Sequence, residues 1–270
     1  MAVTITVLAS GSRGNATVVA SSRTRILVDA GLSCKETFKR MRAAGEDPER
    51  LDAILISHEH SDHVYGLPVL ARKLKVPVYM TGPCNGEWGH SFHDQEERKR
   101  QTNLDQLELF ASGRSFEIGD IQVTPFTIPH DAADPVAFTF RMEGVKVSVL
   151  TDLGYMPSNV KEHLRGSDVL MIESNHDLEM LRGGSYPWSV KQRVMSRVGH
   201  LSNAALAEFF SSSYDGSAST VILAHLSEQN NHPEIARGAA ENALEPRRSL
   251  LTSNRVLLAQ QDTPLEPVRL

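Results

Sequence analysis

Short runs of alternating apolar and polar positions open the chain. Val3 to Leu8, Thr17 to Ala20 and Arg25 to Val28 read as strands, separated by the turn-rich segments SGSRGN and SSRT. From Cys34 to Ala44 the period changes to that of a helix, with Phe38 and Met41 three apart and Gly45 as a stop, and Ala53 to Ser57 then reads as a buried strand. A helix over Leu67 to Leu74 and a strand over Val78 to Met80 follow. Pro83 to Asp105 is polar and dense in charge (HDQEERKR), which predicts an exposed insertion or lid instead of a core element. Alternation resumes at Ile121 to Thr124. Val136 to Arg141 and Val145 to Leu150, joined through Glu143-Gly144, predict a hairpin. The remainder alternates helix and strand: helices near Ser158 to Leu164, Pro187 to Val198, Ser202 to Phe210 and Pro233 to Leu244, with strands at Val169 to Ile172 and Thr220 to Ala224.

No internal repeat or long linker interrupts this pattern, so residues 1-270 are expected to form a single domain. Strands and helices mixed through both halves suggest an α+β fold with two sheets covered by helices on their outer faces. The composition, 40% hydrophobic and 23% charged over 270 residues, allows one large core. A net charge of -5 excludes a global basic field, so an anionic substrate needs local cations. Runs such as Val145 to Leu150 are far shorter than the roughly 20 apolar residues that span a bilayer, and the first residues lack a signal-peptide pattern. Cys34 and Cys84 are too few for a disulfide framework. A soluble, cytoplasmic protein without a membrane partner is the expectation.

Histidine changes the picture. Directly after the strand Ala53 to Ile56 comes Ser57-His58-Glu59-His60-Ser61-Asp62-His63. Imidazole nitrogens and a carboxylate crowded at a strand end suit zinc and related divalent metals. His130, Asp152 and His225 each stand just past another apolar strand, on rigid supports that can converge ligands on one sheet edge. Together they predict two sites, His58, His60 and His130 on one ion and Asp62, His63 and His225 on the other, with Asp152 bridging. Two divalent ions about 3.5 to 4 Å apart acidify a bridging water into a hydroxide nucleophile and stabilise the oxygens of a displacement, which predicts hydrolysis.

The motif H-x-H-x-D-H followed by a distant His, an Asp and a last His resembles the signature of the metallo-β-lactamase-fold hydrolases. That resemblance implies a four-layer αββα sandwich of two mixed sheets flanked by helices. It implies a proton-accepting role for Asp62, and Asp29, in Asp29-Ala30-Gly31, as a brace behind the metal loop. The family cleaves lactams, thioesters, lactones and phosphodiesters, so fold alone leaves the substrate open.

Further segments bear on that choice. The turn LASGSRGN offers Ser10, Ser12, Asn15 and backbone N–H groups to an anion. Glu173 ends the strand Val169 to Ile172 in E-S-N-H-D, with His176 beside it as a substrate contact, and His200 in G-H-L-S-N stands before a helix, where it could protonate a leaving oxygen. With A-H-L-S-E-Q-N-N from Ala224, these motifs closely resemble the YycJ/WalJ branch of the superfamily. The resemblance implies a nuclease related to tRNase Z and RNase J that acts on DNA from a 5′ end in DNA repair, with zinc or manganese as cofactor and Glu173 and His200 together as proton donor. The alternative is a small-molecule metallo-hydrolase for a lactam, lactone or thioester. Only roughly 70 residues separate Asp152 from His225, too few for the inserted nucleic-acid domain of RNase J-like enzymes.

Overall fold

A computed structural model describes residues 3–91, 94, 96, 101–246 and 254–270. These form two compact units, one running to Pro125 and joined by Ala132–Val136 and Gln261–Leu270, the other made of Phe126–Asp131 and Ala137–Gln260.

The first unit holds a seven-stranded sheet in the order β14-β1-β2-β3-β4-β5-β6. Its strands are β1 (Thr4–Ala9), β2 (Ala16–Ala20), β3 (Arg25–Val28), β4 (Ala53–Leu55), β5 (Val78–Thr81), β6 (Leu107–Phe110) and β14 (Val268–Arg269). The meander β1 to β3 is antiparallel, whereas β3 to β6 run parallel. Parallel strands are covered on both faces and read as unbroken apolar runs, as β4 does with Ala53-Ile54-Leu55. Helices α1 (Cys34–Ala43), α2 (Ser61–Val64), α3 (Leu67–Leu74) and α4 (Gly82–His90) belong to this unit. Ser33 caps α1 through the Glu36 N–H. Phe38 and Met41 of α1 enter the core with Leu27, Ile54 and Leu70.

One expectation is corrected here. Gly82–His90 is a helix capped by Thr81, and its Cys84 and Trp88, one turn apart, are buried in that core. Three glycines among nine residues hide the helical period, while the Thr81 cap and Pro83 in the first turn were its signal. Burial, followed by the Glu59 charge, pushes the Cys84 thiol up, which makes it a core residue and not a nucleophile. Residues 92, 93, 95 and 97–100 of the expected lid lie outside the described residues.

The second sheet has the order β13-β12-β11-β10-β9-β8-β7. β7 (Phe116–Ile118) and β8 (Ile121–Thr127) pair antiparallel, β9 (Val136–Met142) and β10 (Val145–Leu150) form the expected hairpin, and β11 (Val169–Glu173), β12 (Thr220–Ala224) and β13 (Arg255–Leu258) extend β10 in parallel. The hairpin turns on Glu143 (φ 51°) and Gly144 (φ 80°), both left-handed as a two-residue turn requires. In the second unit α5 (Ser158–Leu164), α6 (Leu178–Gly183), α7 (Trp188–Val194), α8 (Asn203–Ser212) and α9 (Pro233–Leu244) separate the parallel strands. Leu206, Phe210, Ala236 and Leu244 from α8 and α9 pack with Leu150, Ile172 and Leu223 in its core.

Candidate metal centre

In the first unit the parallel register decides what meets. Val28 pairs with Leu55, so Asp29 and Ser57, one and two residues past their strands, lie side by side. Buried Asp29, at φ 61°, accepts hydrogen bonds from the Ser57 N–H at 2.9 Å and the Ser57 hydroxyl at 2.9 Å, and sits 2.8 Å from His63 Nδ1. His63 Nδ1 therefore carries the proton, and Nε2, on the other side of the ring, turns its lone pair toward Asn15 Nδ2 at 3.1 Å. The Ser57 hydroxyl oxygen is also 3.0 Å from His58 Nδ1 and accepts from it, which leaves His58 Nε2 for a ligand in the same way. His58 Nε2 lies 3.1 Å from His60 Nδ1, and His63 Nε2 lies 3.4 Å from Asp62 Oδ2. The strand end thus presents four donor atoms, those of His58 and His63 supported from behind.

The SGSRGN turn braces this loop. The Asn15 N–H donates to the Asp62 carbonyl at 2.7 Å, and Asn15 Nδ2 lies 3.2 Å from Asp62 Oδ2. Its Oδ1 accepts from the Gly11 N–H at 3.0 Å and from Ser10 Oγ at 3.4 Å. Ser10 and Asn15 are buried, so they act on the loop from within the protein, while Ser12 is exposed.

In the second unit β10, β11 and β12 end side by side, with Leu150 opposite Ile172 and Glu173 opposite Ala224. Asp152 (φ 60°), two residues past β10, and His225 (φ 53°), one past β12, turn left-handed, a strained conformation for such side chains that concentrates at functional sites. Ligand atoms of Asp152, Glu173, His200 and His225 all lie within 4.8 Å of one another. Glu173 is 0% exposed. Its Oε1 accepts from His200 Nδ1 at 2.8 Å and His225 Nδ1 at 3.0 Å, and its Oε2 from the N–H groups of Leu153 at 2.9 Å and Leu201 at 3.0 Å. Burial pushes its carboxyl up, but the His200 charge and the histidine hydrogen bonds outweigh it and hold the pKa down at about 2. For His200, burial disfavours the charged ring, yet Glu173 prevails and raises its pKa. Asp152 Oδ1 is 3.1 Å from His225 Nδ1.

His130 is oriented separately. Its Nδ1 lies 3.1 Å from the Gly199 carbonyl, and the Asp131 N–H donates to the Val198 carbonyl at 3.0 Å. Gly199 is required there, because a Cβ would fall 2.2 Å from the Arg193 carbonyl. His176 is 1% exposed, its Nδ1 faces Asn175 Oδ1 at 3.3 Å, and burial lowers its pKa to about 4. It lies in the segment that pairs with Ser202.

Buried imidazole nitrogens and carboxylate oxygens, their far sides already hydrogen-bonded, are the donor chemistry of a divalent metal site, and the His/Asp set of this chain fits one. Comparison with known proteins agrees. A model of the beta-lactamase superfamily domain matches residues 24–226. The chain is 39% identical over 245 residues to "Exodeoxyribonuclease YycJ" of Bacillus anthracis, covering 91% of this chain and 90% of that protein. It is 38% identical over 240 residues to "Exodeoxyribonuclease WalJ" of Streptococcus pneumoniae strain D39, covering 88% and 87%. The chain belongs to the metallo-β-lactamase superfamily, in the branch of YycJ and WalJ. Its fold is also that of the metallo-β-lactamase fold protein YhfI from Bacillus subtilis, with a TM-score of 0.68 at 16% identity, covering 97% of this chain and 99% of that one. It is accordingly a hydrolase of that superfamily.

For a metallo-β-lactamase-fold hydrolase, two features of this centre escape the sequence. Ser57 opens the metal motif and ties Asp29, His58 and His63 together, yet a lone serine at a strand end carries no signal of that role. Glu173, read as half of a proton-donating pair, has both oxygens occupied by four donors and is closed to solvent, so it positions His200 and His225 instead of meeting substrate. Glu173→Gln places an amide NH₂ where either two ring N–H groups or two backbone N–H groups now donate. It is expected to lower metal affinity about 10- to 100-fold, checked by competition with a chelating dye.

Proposed function

We propose that this chain is a divalent-metal-dependent phosphodiesterase that removes nucleotides from the 5′ end of DNA, a 5′-to-3′ exodeoxyribonuclease. In this reading, as the resemblance implies, His58, His60 and His130 would hold one ion and Asp62, His63 and His225 the other, with Asp152 a ligand as well. The geometry of His200 carries the proposal. With Nδ1 on the buried Glu173, the ring has Nε2 left for proton transfer, and its side chain is partly exposed beside Asp152 and His225. Phosphodiester cleavage is aided by an acid for the leaving oxygen in addition to metal ligands.

Divalent ions, zinc or manganese, would supply the positive charge that acidifies water and neutralises the phosphodiester. The residues supply the rest. Asp62, held by Asn15 at 3.2 Å, takes the proton of the attacking water on its carboxylate, and His200 gives one from Nε2 to the leaving oxygen. DNA as substrate is supported by the likeness over nine-tenths of a protein named exodeoxyribonuclease. Action in the cytoplasm and in DNA repair belongs to the same proposal. Its support is the resemblance, two unpaired cysteines and, among the described residues, no helix long and apolar enough to cross a membrane.

The test is a 5′-phosphorylated single-stranded DNA labelled at its 3′ end, incubated with the chain and zinc or manganese in turn. Progressive shortening from the 5′ end, stopped by chelator, is the expected result. An intact oligonucleotide under both metals would overturn the proposal and direct the search to small lactams, lactones and thioesters.

A further inference from the structure

Tyr65 stands two residues past the metal motif and one beyond α2, and it is 70% exposed, unusual for so large an aromatic. Two cavities of the first unit meet at Tyr65 and Ser61. The smaller, of about 270 Å³, has Asp62, Ser12 and Arg13 in its lining. The larger, of about 610 Å³, is walled by Val64, Pro68, Val69 and Trp88, with Lys35 and Glu59 among its polar groups. Trp88 is itself almost fully buried and Pro68 lies in α3, so this wall is rigid.

The order of chemistry across Tyr65 is that of a nucleotide. Carboxylate ligand, hydroxyl and guanidinium occur on one side, where a phosphate and its metal would lie, and a space with Val64, Pro68, Val69 and Trp88 among polar groups occurs on the other. A space of several hundred Å³ suits a small planar group, and an aromatic ring beside it gives any base a stacking face. Arg13 adds positive charge at the phosphate side, though it also pairs with Asp262 at 2.7 Å, both side chains being exposed.

We infer that the cavity walled by Val64, Val69 and Trp88 receives the nucleobase of the terminal nucleotide, with Tyr65 as its stacking face and Ser12 and Arg13 contacting the phosphate that joins this nucleotide to the next. The inference rests on the exonuclease reading and deepens it. Stacking is tolerant of base identity, so the cavity recognises that a terminal base is present more than which base it is.

The test uses the full chain in chelator, so that no cleavage occurs, with a 5′-phosphorylated single-stranded DNA whose terminal base is the fluorescent 2-aminopurine. Wild-type chain is expected to bind and quench the fluorescence. Tyr65→Ala is expected to weaken binding about ten-fold and lose the quench, while Tyr65→Phe keeps both. A DNA abasic at its first position should bind wild type about as weakly as normal DNA binds Tyr65→Ala. Equal binding and quench in wild type and Tyr65→Ala, or no quench in wild type, would overturn the inference. The exonuclease reading is scored separately, by shortening of DNA by wild type with metal, so shortening that persists without any effect of Tyr65 would sink the pocket alone. Tyr65 is exposed, and circular dichroism of each variant confirms that its fold is kept.

Discussion

His60→Ala is expected to lose at least about a thousand-fold in hydrolysis, equivalent to roughly 4 kcal/mol of transition-state stabilisation, in a chain that folds as before. The two effects separate because His60 does two unrelated jobs. Its backbone starts α2, its carbonyl accepting from the N–H groups of His63 at 2.8 Å and Val64 at 3.2 Å, and its side chain makes no capping hydrogen bond. Removing the ring therefore spares the helix. The ring is half-buried and its Nδ1 stands 3.1 Å from His58 Nε2, so its loss takes away one of the donors at the strand end. Thermal unfolding in chelator should shift by about 2 °C or less, as for a substitution outside the packed core. Bound metal, counted by atomic emission, should fall together with activity. Full activity in the variant would remove His60 from the ligand set.

Gly31→Ala is expected to damage both stability and activity. A Cβ on Gly31 would fall 1.7 Å from the Asp62 carbonyl oxygen and 2.6 Å from the Asn15 nitrogen, both backbone atoms. Neither can yield alone: the Gly31 N–H donates to the Asn15 carbonyl at 2.9 Å, and the Asn15 N–H donates to the Asp62 carbonyl at 2.7 Å. Relief requires the SGSRGN turn and the metal loop to part by an ångström or more. The expected loss is about 3 kcal/mol or more of stability, beyond ordinary overpacking, read as a fall in unfolding temperature of about 6 to 12 °C. Displacing Asp62 by that distance should lower activity about a hundred-fold. Gly86→Ala in α4 is the control, since a Cβ there meets nothing within 4 Å and alanine favours the helix. If Gly31→Ala matched this control, the bracing of Asp62 by Asn15 would be incidental.

Local pattern carried much of this protein. Strand β12 and helices α5 and α9 lie where their periodicity places them, because burial on one or both faces imposes a repeat that single residues cannot hide. The His58 to His63 motif was readable for the same reason, as donors crowded beside an apolar strand serve few ends besides metal binding. Strands β6 and β7 gave no such signal, being short and half-exposed with mixed faces. Nor did α4, whose glycines masked a core helix.

Only the tertiary structure decided which donors meet and what stands behind them. Asp152, Glu173 and His225 are distant in sequence and become neighbours through the parallel register of β10, β11 and β12, a property of pairing across the sheet that no local window contains. Left-handed backbone at Asp29, Asp152 and His225 turns each side chain at its strand end, and the energy for that comes from surrounding packing. Glu173 shows the limit most plainly. A carboxylate at a strand end can be an acid, a ligand or a brace, and it is a brace here because four donors enclose it in a space closed to water.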